Sequence, residues 1–119
     1  MRTNAITLFL GGDVMLGRGV DQILGHPGDP TLHEQVVRDA RRYVELAERE
    51  NGPVPRGADP AYPWGESLDL LERFATDVRV INLETSITTS DAFEFGKAVH
   101  YRMHPENLPS LQVARPDVC

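Results

Sequence analysis

One cysteine, one lysine and no apolar run longer than a short strand set the first limits on this 119-residue chain. The lone Cys119 stands at the last position, so there is no disulfide framework and no cysteine metal cluster, and a reducing compartment suits the chain. No stretch approaches the ~20 apolar residues of a membrane-spanning helix, and the sequence therefore reads as soluble. Ala5 to Leu10, after Met1-Arg2-Thr3-Asn4, faintly imitates a secretory leader. Gly11-Gly12-Asp13 cuts that run below the usual ~7–15 residues and no small-residue cleavage site follows, so a strand and a cytoplasmic location are expected instead. Cations are scarce too: 12 Lys and Arg against 18 Asp and Glu give a formal net charge of -6. That balance argues against a nucleic-acid or anionic-membrane partner, because phosphate binding needs clustered cations.

What is present has the order of an α/β domain. Ile6 to Gly12 and Val78 to Leu83 are short, largely apolar runs, the pattern of parallel strands buried on both faces. Gly17 to Leu24 predicts a short helix ending at Gly25, and His26-Pro27-Gly28-Asp29-Pro30 a loop. From Thr31 to Glu50, apolar residues recur at three- and four-residue spacing, which predicts one amphipathic helix with Thr31 and Glu34 at its cap and Asn51-Gly52 at its stop. Pro53, Pro55, Pro60 and Pro63 then impose a loop, and Trp64, Leu68, Leu71 and Phe74 restore helical spacing before the second strand. Ala98 to Met103 predicts a third strand, Pro105 to about Ala114 a helix, and Pro116 to Cys119 the opening of another strand.

Each of the two apolar runs ends on an acid, Asp13 and Glu84. Ligands of open α/β sheets bind beyond the carboxyl ends of the strands, so two acids delivered there suggest metal ligands or an acid/base pair. The ordinary alternative for Asp13 is a helix cap. Asn82, two positions before Glu84, shares its strand face and offers an amide oxygen. Carboxylate and amide oxygens suit Mg²⁺ or Mn²⁺, and a histidine from elsewhere would widen the choice to iron or zinc. Gly12 to Gly17 has the glycine spacing of a phosphate loop, but Arg18-Gly19 stands where Lys and Ser or Thr are required. Arg18 remains a candidate for an anion contact, against the plainer reading of a surface arginine. Lys97, His100 and Arg102 are the other candidates for substrate contact. In an extended segment His100 and His104 would share a face, with a capping or surface role as the alternative.

Gly12 to Asp21, Tyr62-Pro63-Trp64-Gly65-Glu66, Val80 to Thr88, and Gly96-Lys97 ahead of Tyr101-Arg102-Met103-His104-Pro105 resemble, in that order, the bacterial capsule-synthesis CapA family. Its members are also called poly-γ-glutamate biosynthesis proteins. The resemblance implies a layered α/β/β/α sandwich like that of the calcineurin-type metallophosphoesterases. Asp13 matches its Gly-Asp position, and Asn82 and Glu84 its Asn-Leu-Glu motif. It further implies a divalent metal (Mn, Mg, Fe or Zn) on Asp13, Asn82 and Glu84, with Asn82 and Arg18 as catalytic helpers. The substrate would be a small phosphoester or an anionic polymer.

The family's next motif, Asn-Asn-His, is expected just past Cys119. Residues 1–119 then read as the N-terminal portion of one CapA-type domain, with 25–63 a peripheral helix and proline-rich loop. Members of the family often carry a membrane anchor. Two functional readings follow, a metal-dependent phosphoesterase and a non-catalytic accessory of capsule or polymer assembly. A truncated, inactive piece is the third.

Overall fold

Two apolar runs pair side by side. In the computed structural model, which describes residues 5–119, β1 (Leu8–Val14) and β2 (Val78–Leu83) form a parallel ladder. Between them lie α1 (Arg18–Ile23), α2 (Arg41–Asn51) and α3 (Ser67–Arg73). After them come β3 (Ser86–Ile87), β4 (Arg102–Met103) and α4 (Pro109–Gln112). β3 and β4 also pair in parallel, so the expected α/β class holds. Met1 to Asn4 of the leader-like segment lie outside the described residues. Among the described residues no helix is long and apolar enough to cross a membrane.

β2 is the central strand. Val80 bridges Val118 in parallel, and the Ile81 N–H donates to the Val118 carbonyl at 3.0 Å, so the final residues begin a strand as expected. The core gathers on one side of the sheet, where Leu16, Ile81, Met103 and Leu111 pack with Phe9, Val14, Val20, Leu83 and Leu108. Burial on both faces, expected from the apolar runs, is not what the chain has. Ile6, Leu8 and Leu10 are 73%, 55% and 72% exposed, because the described helices supply packing to the other face only.

The long helix predicted over Thr31 to Glu50 also needs correction, since α2 begins only at Arg41. Thr31 bridges Asp39 in antiparallel fashion, with Leu32 N–H to Arg38 O at 2.9 Å and Ala40 N–H to Pro30 O at 2.8 Å. Two influences override the periodicity. Val36-Val37 and Thr31 are weak helix formers, and Glu34 is drawn inward to Arg18 instead of capping. Val36, assigned by spacing to a buried face, is 92% exposed. At the other end Gly52 takes a φ of +84° and its N–H reaches Glu48 O, the stop that Asn51-Gly52 predicts. No residue of 25–63 enters the core cluster, while Val44 of α2 is buried where that helix meets α1.

Asp39 sets where α2 begins. Its carboxylate is pulled down to about 2, first by the Arg41 guanidinium and then by the Arg41 backbone N–H. A carboxylate depressed on folding stabilises above its ordinary range and loses that contribution as pH falls through the folded value. We expect the Asp39 carboxyl resonance to titrate near pH 2. In Arg41→Ala its midpoint should rise toward the ordinary value of about 3.9.

Later elements shrink relative to expectation. The strand predicted over Ala98 to Met103 is only Arg102–Met103, since its partner β3 is two residues long. The helix predicted from Pro105 splits into a 3-10 turn, Pro105–Asn107, and α4. Trp64 anchors the proline-rich loop, its Nε1–H reaching Ser110 O at 2.6 Å while the Ser110 hydroxyl donates to Pro60 O at 2.7 Å.

Candidate functional site

The carboxyl edge of β1 and β2 is shaped by an irregularity. Leu10 is in register with Val80, yet it is Asp13, three residues on, that pairs with Asn82, two residues on. One extra residue at Gly11-Gly12 therefore makes a bulge, which shifts every later side chain of β1 to the opposite face. Without it Asp13 would point away from Asn82. With it, Asn82 Nδ2 donates to Asp13 Oδ1 at 2.8 Å. A Cβ on Gly11 would sit 3.0 Å from the Phe9 ring and 3.1 Å from Ile81 Cγ2, whereas one on Gly12 meets nothing within 4 Å. Tight packing thus falls on the first glycine of the pair.

The two turns leaving this edge are tied together. Glu84 N–H donates to Val14 O at 2.9 Å, and the buried Thr85 hydroxyl oxygen accepts Leu16 N–H at 3.1 Å. Asp13 and Glu84 therefore leave the sheet at the same edge, as their positions after the strands predict. Gly17 follows, with the β4 backbone directly against it. A Cβ there would lie 2.6 Å from Arg102 O. We expect Gly17→Ala to cost about 2 kcal/mol in denaturant unfolding, since backbone, not a side-chain tip, must move.

Beside this edge opens a cleft of about 710 Å³. Asn82, Glu84, Arg18, Lys97, His100 and Arg102 all line it, so six of the seven residues singled out from sequence meet there. The seventh, Asp13, is held to the rim through Asn82. Arg18 is already engaged: its guanidinium pairs with Glu34 at 2.6 Å and lies over the rings of Tyr101 and Tyr43 at 4.7 and 5.1 Å. Both ends of that pair are largely buried, so Arg18 brings little net charge to the cleft.

Arg102 donates to the backbone oxygens of Ser90 and Asp29, at 2.5 and 3.3 Å. Asp29 is held below its ordinary range by hydrogen bonds from Thr31 and, more weakly, by Arg102. Neither Lys97 nor Arg102 forms a salt bridge among the described residues.

His100 and His104 do not form the pair that an extended segment predicts. The two-residue β4 breaks the extended run, and His104 turns toward His26, with ring centroids 6.4 Å apart. There its Nδ1 accepts Glu106 N–H and caps the Pro105–Asn107 turn. His100 instead sits edge-on to Phe93 and His33.

Sequence reasoning passed over Asp21. It is 3% exposed, and its carboxylate accepts N–H groups from Gly28, His104 and the Asn107 side chain, each at 2.8 Å. It lines the cleft and knots α1 to two distant loops. Its place on a helix face otherwise filled by Val20, Ile23 and Leu24 was the available signal.

Asp13, Asn82 and Glu84 offer oxygens only, a set that fits hard ions such as Mg²⁺ or Mn²⁺ better than zinc or iron. They fall short in number. Asn82 already occupies one Asp13 oxygen, and among the described residues no three His, Cys, Asp or Glu side chains converge as a metal-holding group.

The family model described as bacterial capsule synthesis protein PGA_cap matches residues 7–119. Two curated relatives, probable polyglutamine synthesis accessory proteins from the CDC 1551 / Oshkosh and H37Rv strains of Mycobacterium tuberculosis, are each 59% identical over 116 residues. The match covers 98% of this chain, which spans 30% of the length of either relative. No solved structure matches.

Proposed function

The chain belongs to the bacterial capsule synthesis protein family PGA_cap, and from that premise we propose an accessory role in capsule or polyglutamate synthesis, with the cleft at the sheet edge holding an assembly intermediate. The observation that carries this reading is the cleft's polarity. Asn82 and Glu84 present oxygens in the same cavity in which, among the described residues, Lys97 and Arg102 form no ion pair. A cleft with both signs of unspent charge suits an intermediate that bears carboxylates together with polar donors. The names of the two curated relatives, both accessory proteins, agree with it.

A second reading is divalent-metal-dependent phosphoester hydrolysis, favoured by the bulge that turns Asp13 toward Asn82 at the same edge as Glu84. Here Asp13 and Glu84 would hold the cation, Asn82 would orient a ligand, and the anion contact would fall to Lys97 and Arg102, because Arg18 is neutralised by Glu34. A bound divalent ion would supply positive charge to phosphoryl oxygens. With three candidate ligands, one already hydrogen-bonded to another, ion binding should be weak.

Two measurements on the chain separate these readings. Calorimetry with γ-glutamyl oligomers should show binding that Lys97→Ala and Arg102→Ala weaken. Hydrolysis of a generic phosphoester with Mn²⁺, Mg²⁺ or Zn²⁺ should stay at background, in wild type as in Glu84→Ala. Turnover abolished by Glu84→Ala would establish the second reading. Absence of both binding and turnover would remove the cleft from either.

A further inference from the structure

A second concavity, a groove of about 870 Å³, lies between residues 31–38 and the 93–98 loop. Thr31, Leu32, His33, Phe93 and Lys97 line both it and the cleft, so the groove continues the cleft. Their shared wall is well packed, with the rings of His33 and Phe93 face to face, centroids 3.6 Å apart and planes 8° from parallel. Gly96, at φ +83°, closes the turn in which Lys97 N–H reaches Glu94 O at 3.4 Å. That turn leaves Glu94 lining the cleft and Phe95 lining the groove.

The two cavities differ in charge. Five carboxylates and three cations line the cleft. Along the groove the one carboxylate is Glu34, against Arg38 and Lys97. Glu34 is already spent: its side chain is 7% exposed, one oxygen lies 2.6 Å from Arg18, and the other accepts the Tyr43 hydroxyl. Arg38 and Lys97 are both exposed, and neither forms a salt bridge among the described residues. On a chain of net charge -6 this is a local reversal of sign, which draws carboxylates to the groove while the acid-rich cleft admits few. Val36 and Phe95, 92% and 90% exposed, line the same groove. Exposed apolar side chains among free cations suit a ligand that alternates methylenes with carboxylates, since each kind of group finds its match.

We infer that the groove is a second binding subsite, which takes the continuation of a linear polycarboxylate whose end lies in the cleft. This rests on the accessory role proposed above and adds that the ligand is a chain several repeats long, held at two places. Arg38 and Lys97 pair with its carboxylates, and Phe95 covers its methylenes. An anionic membrane would meet the same exposed residues, but the groove is concave and shares a wall with the cleft, which favours a chain threading both.

The test compares γ-glutamyl-glutamate with a γ-glutamyl oligomer of about eight residues, which extends over at least ~25 Å, by calorimetry on the whole chain. The oligomer should bind at least about fifty-fold more tightly, beyond the roughly seven-fold that repetition of the dipeptide unit alone supplies. Arg38→Gln and Phe95→Ser, which alter the groove and not the cleft, should bring that ratio down toward about seven. Both side chains are exposed, so neither exchange threatens the fold. Arg49→Gln, at an exposed arginine of α2 outside both cavities, should leave the ratio high. A dipeptide that binds with a ratio no larger than repetition supplies would overturn the inference and leave the accessory reading standing. So would a ratio that the groove variants leave high, or one that Arg49→Gln lowers as much, which would reduce the effect to diffuse attraction. Binding to phosphatidylglycerol vesicles that Phe95→Ser weakens, without any gain for the oligomer, would assign the groove to a membrane instead. Failure of dipeptide and oligomer alike to bind would overturn both readings.

Discussion

Arg79→Met should lower unfolding stability by about 3 kcal/mol, read from the denaturant midpoint at unchanged slope. Arg79 lies on the core face of β2, 7% exposed, where a strand of apolar neighbours would ordinarily place another aliphatic residue. Its guanidinium instead serves several acceptors. It donates to Ala114 O at 2.8 Å, Thr76 Oγ1 at 3.0 Å, Glu72 Oε1 at 3.2 Å and Leu71 O at 3.4 Å. These groups close α3 and the end of α4 onto the sheet. Methionine keeps most of the volume and the apolar stem but leaves two buried carbonyls without donors, so the loss is in hydrogen bonding rather than packing. Glu72 keeps its second partner, Arg115, so Glu72→Gln should cost far less. A loss in Arg79→Met no larger than in Glu72→Gln would show that the buried carbonyls find other donors.

Asp21→Ala should cost about 3 kcal/mol and should also disturb the cleft. The carboxylate satisfies three N–H groups, two of them from the remote His104 and Asn107, and alanine strands all three at once. The buried Asn107 side chain would retain only its bonds with His26. Asp21→Asn tests the reason. An amide keeps one acceptor oxygen and puts an NH₂ where the other stood, so one site of the knot clashes donor against donor and recovery should be partial. Amide exchange at Gly28 and His104 should rise in both variants. Protection at Val80 and Ile81 should change only through global stability, which separates a local unhooking from general destabilisation. Unaltered exchange at Gly28 would show that the loop is held by something other than Asp21.

Legibility followed the range of the interaction involved. Both principal strands, the α1 turn, the Gly52 stop and the helix after Trp64 were readable because they depend on neighbours within a few residues. So was the placement of Asp13 and Glu84 at one edge, since parallel strands deliver their ends together. The helix over Thr31 to Glu50 failed from its start. Its spacing was genuine, but the ion pair of Glu34 with Arg18, sixteen positions away, took the first ten residues into a bridge and a loop. Asp21 was illegible for a related reason, being a charge with two partners, His104 and Asn107, from distant segments, while Arg79 could not be read because its buried carbonyl partners, Leu71 O and Ala114 O, are backbone groups that no residue type announces.

The amino-acid sequence by itself determined the α/β class, the acids at the strand ends, and the family to which the chain belongs, because pattern and motif order are local properties. Tertiary structure alone decided which face of Asp13 meets Asn82, since a one-residue bulge reverses the strand's sidedness without altering its composition. It also decided which charges stay available. Arg18 and Lys97 look alike as cations in a sequence, but one is buried against Glu34 and two tyrosines while the other is open to the cleft. Burial and pairing depend on what the rest of the chain brings alongside, and that information exists only once the chain is folded.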